Sequence, residues 1–393
     1  MDYHEAIANK IASEVASMQY VERFTTIPVP HIYYYSPQLD PHVGSPYIVM
    51  ANAEGVRLVS VWQTMEDSLR RSMLSQVIDI LLELWSHRFE KQGCLFRHTD
   101  GPATNGKDDW FTQPTSLLQP NKICVAARAG SRLHRTAAAY WHAYANVRLE
   151  ETKEEFGQLY ASANYLRMWF LRSLIPDLFD PSLDECGYPL AHGDFHSQNI
   201  MVTDVESSPR ITAIIDWEFT EATYSSGYSL YPFFIVDHPA WDDDDPRCER
   251  NVRDQATFNE LLFQKEQPGT GFMLSSLVSS WRPIYLFQQA IEFPRIETGI
   301  YPALYSYVFG DNGETGEDCY DDKGGYYGAL GKGALKGITE QLDHERKVRI
   351  EAQQVLGIET FPVLNHSEFR RLIASNIDKF EGAGLVHDWF CKT

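Results

Sequence analysis

The stretch "LAHGDFHSQNIMV" (Leu190–Val202) sets two histidines, an aspartate and an asparagine between apolar residues. Shortly after it, "ITAIIDWEFT" (Ile211–Thr220) carries a strand-like apolar run that ends on a second aspartate, Asp216. His192, Asp194 and Asn199 have the spacing H-x-D-x-x-x-x-N, that of a kinase-type catalytic loop. Phosphoryl transfer needs this combination: a carboxylate to take the proton of the attacking hydroxyl, and a neutral oxygen ligand for magnesium. Ile211, Ala213, Ile214 and Ile215 read as a strand, and Asp216 emerges at its end, where a carboxylate can bridge metal and phosphates. Three fixed positions alone would also suit a surface turn before an unrelated buried strand. The second Asp, arriving on the expected strand, argues against that. A transition-metal site on His192, Asp194 and His196 is a further option, but it leaves Asn199 and Asp216 without a role.

"HGDFHSQNI" together with "IIDWEF" resembles the signature of the aminoglycoside phosphotransferase and choline kinase-like family, the small-molecule branch of the protein-kinase-like fold. Upstream, "SEVASMQYVERFTTIPVPHIYYY" resembles the family's N-lobe helix and following strand, "SPYIVMANAEG" its hinge, and "KQGCLF" a turn of fungal-type members. The register holds from about Ser13 to Phe219. The resemblance implies an α+β, protein-kinase-like two-lobed fold, ATP and Mg2+ as cofactors, and phosphorylation of a hydroxyl on a small molecule. It makes Asp194 the general base, His192 the buttress of the loop, Asn199 and Asp216 the magnesium ligands, and His196 a local stabiliser. Glu14 falls at the helix Glu that pairs with a phosphate-binding Lys. The backbone of Ala51, Asn52 and Ala53 falls where the family meets the adenine.

The family pattern also has a Gly-rich hairpin and a strand Lys ahead of that helix. Thirteen residues precede Glu14 here, and they pattern as helix. Lys10, four residues from Glu14 on the same helix, is expected to reach solvent or its own helix rather than phosphates. "GALGKGALKG" (Gly328–Gly337) is no substitute, because a P-loop needs Gly at Tyr326 and Ser or Thr at Gly333. The expectation is therefore a truncated N-lobe over residues 1–52 and a large, mainly helical C-lobe over 53–393. Two readings stay open: a small-molecule kinase, or a pseudokinase or non-catalytic binding module that keeps its magnesium residues but not the phosphate clamp.

Composition agrees with an enzyme-sized globular chain. Hydrophobic residues make up 44% of 393, enough to bury a sizeable core, and 54 acidic residues against 34 basic ones give a net charge of -20. That balance excludes a general nucleic-acid binder, which needs a basic face to displace phosphate counterions. Six widely spaced cysteines (Cys94, Cys124, Cys186, Cys248, Cys319, Cys391) form no metal or disulfide pattern and read as reduced thiols. "MDYHEAIANK" carries charge where a secretory signal is apolar, and no apolar run approaches the roughly 20 residues that cross a bilayer. A cytoplasmic chain without a membrane partner is expected.

Periodicity supplies the elements. Ile7, Ile11, Val15, Met18 and Val21 predict a helix from Tyr3 to Phe24, stopped before Pro28 and Pro30. Strands are predicted in "TTIPVPHIYYYS" and at Tyr47–Met50, a long helix over Ser68–Phe89, a loop at "KQGCLFRHTDGPATNGKDDW", and helix over most of Thr136–Ile175 and after Lys336. In "HPAWDDDDPRCER", Trp241 precedes Asp242, Asp243, Asp244 and Asp245. An aromatic face beside carboxylates suits a cationic acceptor, an amine or quaternary ammonium, although such charge runs usually face water. The expectation is that Trp241 and one or two of these Asp lie near the cleft at Asp194.

Overall fold

Helix α1 (Tyr3–Phe24) forms as its spacing predicts, with Val15, Met18 and Val21 buried on one face. The computed structural model describes residues 3–98, 106–118, 133–228, 230–237, 245–266, 273–292, 300–309, 331–360 and 362–385. It divides into two compact units, residues 1–141 with 176–285, and residues 142–175 with 286–393.

In the first unit α1 is followed by an antiparallel pair, β1 (Ile32–Ser36) and β2 (Tyr47–Met50), in which Tyr35 faces Ile48. The chain then crosses the hinge stretch to β3 (Val56–Arg57) and helix α2 (Asp67–Ser86). Gly55 turns it at φ +103°, and a Cβ there would lie 2.3 Å from the carbonyl oxygen of Val202, so only glycine lets β3 approach that strand. Helix α2 buries Met73, Leu74, Val77, Ile78 and Leu84.

Two expectations are corrected here. The helix predicted over Ser68–Phe89 stops at Ser86, and Arg88–Phe89 form β4 instead. His87 leaves helical geometry because its carbonyl accepts the N–H of Leu190 at 3.0 Å, while its buried ring is held by the Tyr20 hydroxyl at 2.9 Å. The "KQGCLF" segment is not a loop but β5 (Gly93–Arg97), paired with β6 (Trp110–Gln113). With β7 (Tyr188–Ala191) and β10 (Glu221–Ala222) these make a five-stranded sheet in the order β4-β7-β10-β5-β6. A three-stranded sheet, β3-β8-β9, contains β8 (Ile200–Thr203) and β9 (Arg210–Ile214). Every strand pair among the described residues is antiparallel. The α+β class expected from the sequence is what the fold shows.

The core of this unit joins α1, α2, β7, β8 and β9 with helix α3 (Pro246–Lys265), through Met18, Val21, Leu74, Leu190, Ile200, Ile214, Trp217 and Phe258. In the second unit, helices at Lys336–Leu356 and His366–Ala374 pack around Phe156, whose ring stacks on Phe369 at 3.9 Å. Asn365 and Glu368 form a reciprocal capping box at the start of the latter helix. Trp241 to Asp244 and Gly328 to Leu330 lie outside the described residues, and with them most of the acceptor expectation; Asp245 caps the N-terminus of α3, accepting from the Arg247 N–H at 2.9 Å. Among the described residues no helix is long and apolar enough to cross a membrane.

One buried ion pair ties α2 to α3. Arg70, 1% exposed, donates from Nε to Asp254 Oδ1 at 3.1 Å and from Nη2 to the other carboxylate oxygen, and its guanidinium lies 3.8 Å from the centre of the Trp62 ring. Removing one partner strands the other charge away from water. Asp254→Ala is expected to lower unfolding free energy by about 3–5 kcal/mol, measured by urea denaturation, while the paired change Arg70→Met with Asp254→Leu recovers most of it. A single variant within 1 kcal/mol of wild type (roughly the worth of an exposed pair) would show that the pair is not desolvated.

Candidate active site

Strand β7 delivers the chain to His192, and the β8–β9 hairpin carries the remaining motif residues. Ile200 pairs with Ile214, so Asn199, just before β8, lies across from Ile215, just after β9. The Ile215 N–H donates to the Asn199 carbonyl at 3.0 Å. That register sets Asn199 and Asp216 at the same end of the hairpin. Asp216 itself adopts φ +67°, a left-handed conformation that a non-glycine residue takes at a cost and that turns the chain sharply out of the strand.

The 192–199 loop is held by its own polar groups. Buried His192 donates from Nε2 to the Ile215 carbonyl at 3.0 Å and accepts at Nδ1 from the Asp194 N–H at 3.3 Å, a pattern that assigns the neutral Nε2–H tautomer. Burial pushes its imidazole down to about 4. Its ring also lies 4.5 Å from that of Trp217, which is fully buried and donates to Ile214 O at 2.9 Å. Gly193, at φ +81°, passes so close to the second motif that a Cβ would stand 2.0 Å from Phe219 O. Each motif thus fixes the other.

Asp194 accepts from Asn199 Nδ2 at 3.0 Å on Oδ2, and its carbonyl accepts from the same amide at 3.0 Å. His196 Nε2 reaches Asp194 Oδ2 at 3.2 Å, while its Nδ1 accepts the Gln198 N–H at 3.1 Å. His196 was expected only to stabilise the loop; its ring also touches the carboxylate proposed as the base. With both amide hydrogens of Asn199 turned toward Asp194, its carbonyl Oδ1 is left for another partner.

Helix α1 brings Glu14 and Lys10 to this place. Glu14 is pushed up to about 7, first by burial and then by the charges of Glu218 and Asp216, with Lys10 opposing. Asp216 is raised by burial, Glu218 and Asp194, and drawn down by Lys10 and His196. Lys10 is corrected in part: it stays partly exposed, as expected, but instead of turning to its own helix it pairs with Glu218 Oε2 at 2.5 Å, its ammonium 5.0 Å from the centre of the Phe219 ring. Glu218 and Phe219 were not among the expected site residues. No local pattern links them to α1, because the contact forms only once the helix packs.

The stretch after β2 is tied to the hairpin and to the loop before it. Glu54 O accepts from Thr212 Oγ1 at 2.6 Å, and the Val59 N–H donates to Ser197 O at 2.9 Å. The Ala51 N–H is engaged by His31 O at 2.8 Å. A cavity of about 980 Å3 between Arg88, Arg135 and Asp184 includes none of the motif residues. A smaller one of about 130 Å3 is walled by His192, Gly193 and Phe195, without Asp194.

Among the described residues no three His, Cys, Asp or Glu side chains form a metal cage. The donor set nevertheless fits a magnesium ion. Mg2+ takes one or two protein oxygens and completes its shell with water and phosphate, and Asn199 and Asp216 supply one amide and one carboxylate oxygen. The surrounding carboxylates of Glu14, Asp194 and Glu218 outnumber the ammonium of Lys10, an imbalance that a divalent cation would offset.

A sequence profile described as "Phosphotransferase enzyme family" matches residues 1–223. A subtelomeric hrmA-associated cluster protein of Aspergillus fumigatus is 30% identical over 89 residues, 23% of this chain and 18% of that protein. The mitochondrial altered inheritance of mitochondria protein 9 of Candida tropicalis is 33% identical over 106 residues, 25% of this chain and 17% of that protein. The matches thus span under a fifth of these relatives' own length. The solved GDP complex of wild-type aminoglycoside 2'-phosphotransferase-IIIa is similar at 12% identity and TM-score 0.41, covering 87% of this chain and 83% of that one.

The buried His192 makes stability depend on pH. Folding lowers its pKa from 6.5 to about 4, so its contribution is complete above 6.5 and is lost as pH falls through that window. Glu14 and Glu221, each raised to about 7 by burial, act in the opposite sense, losing stability as pH rises from 4.5 to 7. Comparison with His192→Gln isolates the histidine. Between pH 7 and pH 4 the wild type is expected to lose about 3 kcal/mol relative to that variant in urea unfolding. Parallel pH curves would contradict the neutral, buried assignment.

Proposed function

The chain belongs to the phosphotransferase enzyme family, matched over residues 1–223, and from that premise we propose that it is an ATP-dependent kinase acting on a hydroxyl of a small molecule. The observation that supports the reading is the Asn199–Ile215 pairing, which puts Asn199 and Asp216 at one end of the β8–β9 hairpin, with Asp194 bonded to the Asn199 amide. Asp194 would accept the proton of the attacking hydroxyl, its carboxylate oriented by the Asn199 amide and by His196. His192 keeps the loop in register without carrying charge. Asn199 and Asp216 would hold Mg2+, which supplies charge neutralisation at the phosphates. The backbone of Ala51, Asn52 and Ala53 would meet the adenine, and Glu14 would stand behind the phosphate side. The reaction fits a cytoplasmic setting, where ATP is abundant and free thiols such as Cys94, Cys186 and Cys248 are stable.

A non-catalytic, nucleotide-binding role is the competing reading. It is favoured by one observation, the engagement of Lys10 by Glu218, which gives the phosphates a rival for the ammonium.

ATP with Mg2+ at about 100 times its dissociation constant should add about 2.7 kcal/mol to unfolding free energy, read as a thermal shift. Asp194→Asn is expected to keep that shift while abolishing ATP-dependent phosphorylation in a panel of small alcohols and amino alcohols. No shift in the wild type would sink the kinase reading. A shift with no turnover in either protein would favour the binding role.

A further inference from the structure

Phosphate transfer needs positive charge beside the metal, and α1 brings an ammonium to that place. Lys10 Nζ lies 2.5 Å from Glu218 Oε2, and Glu218 is two residues from Asp216. The same ammonium stands 5.0 Å from the centre of the Phe219 ring, and Phe219 O abuts Gly193 of the catalytic loop. Lys10 and Glu218 side chains are 35% and 28% exposed, so an anion can reach the pair from solvent.

We propose that Lys10 is the ammonium that contacts the phosphates of the nucleotide, delivered from helix α1 and anchored by Glu218; this rests on the phosphotransferase reading above. A lysine ammonium has three donors. One goes to Glu218, and two remain for phosphate oxygens that arrive at Asp216 with the metal. As a compact point charge on a flexible stem, it can bridge carboxylate and phosphate without the fixed fork of an arginine. Phe219 confines the ammonium on one side, 5.0 Å from its ring centre. The rival account is that the pair only straps α1 to the second motif.

The two accounts separate in calorimetric titrations of the full chain with Mg2+·ATP, Mg2+·tripolyphosphate and adenosine. Lys10→Met is expected to weaken binding of both phosphate compounds at least about tenfold, the worth of a charge-assisted hydrogen bond. Adenosine affinity stays unchanged, and Lys10→Arg recovers part of the loss. In the wild type, Mg2+·ATP should also protect Lys10 from acylation by acetic anhydride, read by peptide mass mapping, and adenosine should not. This second readout needs no variant to fold. Equal Mg2+·ATP affinity in wild type and Lys10→Met, or equal acylation with and without Mg2+·ATP, reduces Lys10 to a strap and overturns the proposal while leaving the kinase reading in place. A wild type that binds adenosine but neither phosphate compound overturns the proposal too. A wild type that binds none of the three overturns the phosphotransferase reading itself, and this assignment with it.

Discussion

The N–H of Ile215 meets the carbonyl of Asn199 at 3.0 Å, and the candidate site hangs on that bond. It closes the β8–β9 hairpin at the register Ile200 to Ile214. A slip of one residue would turn every side chain of a strand to the other face, separating the Asn199 amide from Asp216. The hairpin is locked from beneath by fully buried Ile200, Val202 and Ile214, and by Trp217 donating to Ile214 O. His192 adds a clasp between the loops by donating to Ile215 O. Apolar burial of the strands is therefore what aims the polar groups at their ends.

Around this frame, charge is left unbalanced. Glu218 and Asp216 act on Glu14, Glu218 and Asp194 act on Asp216, and Lys10 opposes at both, joined at Asp216 by His196. Such an arrangement is costly in a purely structural site, because each carboxylate raises the price of ionising its neighbours. It is ordinary chemistry where a divalent cation and a polyphosphate are bound together. The left-handed turn at Asp216 belongs to the same logic, being backbone strain at the residue that would hold the metal.

Much of this was legible in the residues themselves. The alternation and end of "ITAIID" predicted a strand leading to Asp216, and β9 runs Arg210–Ile214. The three- and four-residue steps of Ile7, Ile11, Val15, Met18 and Val21 predicted α1 at its observed limits. What periodicity could not carry was tertiary pairing. Arg88–Phe89 continue the helical pattern of α2, yet they become a strand because Tyr188 and Pro189 are there to pair with them. Gly93–Arg97 looked like a loop for the same reason, since their partners lie at Trp110–Gln113 and Glu221–Ala222. Lys10 was misdirected by local reasoning: an i,i+4 neighbour on the helix is visible in sequence, whereas Glu218, more than two hundred positions away, is visible only once α1 packs.

The central claim is that Asn199 and Asp216 form one metal–nucleotide site at the end of the hairpin. Electron paramagnetic resonance of Mn2+ with a non-hydrolysable ATP analogue tests it most directly, because Mn2+ accepts the same oxygen donors as Mg2+. The account predicts a protein-bound Mn2+ signal that requires the nucleotide and is lost in both Asp216→Ala and Asn199→Leu, with each variant still folded by circular dichroism. A bound signal that survives both substitutions would contradict it.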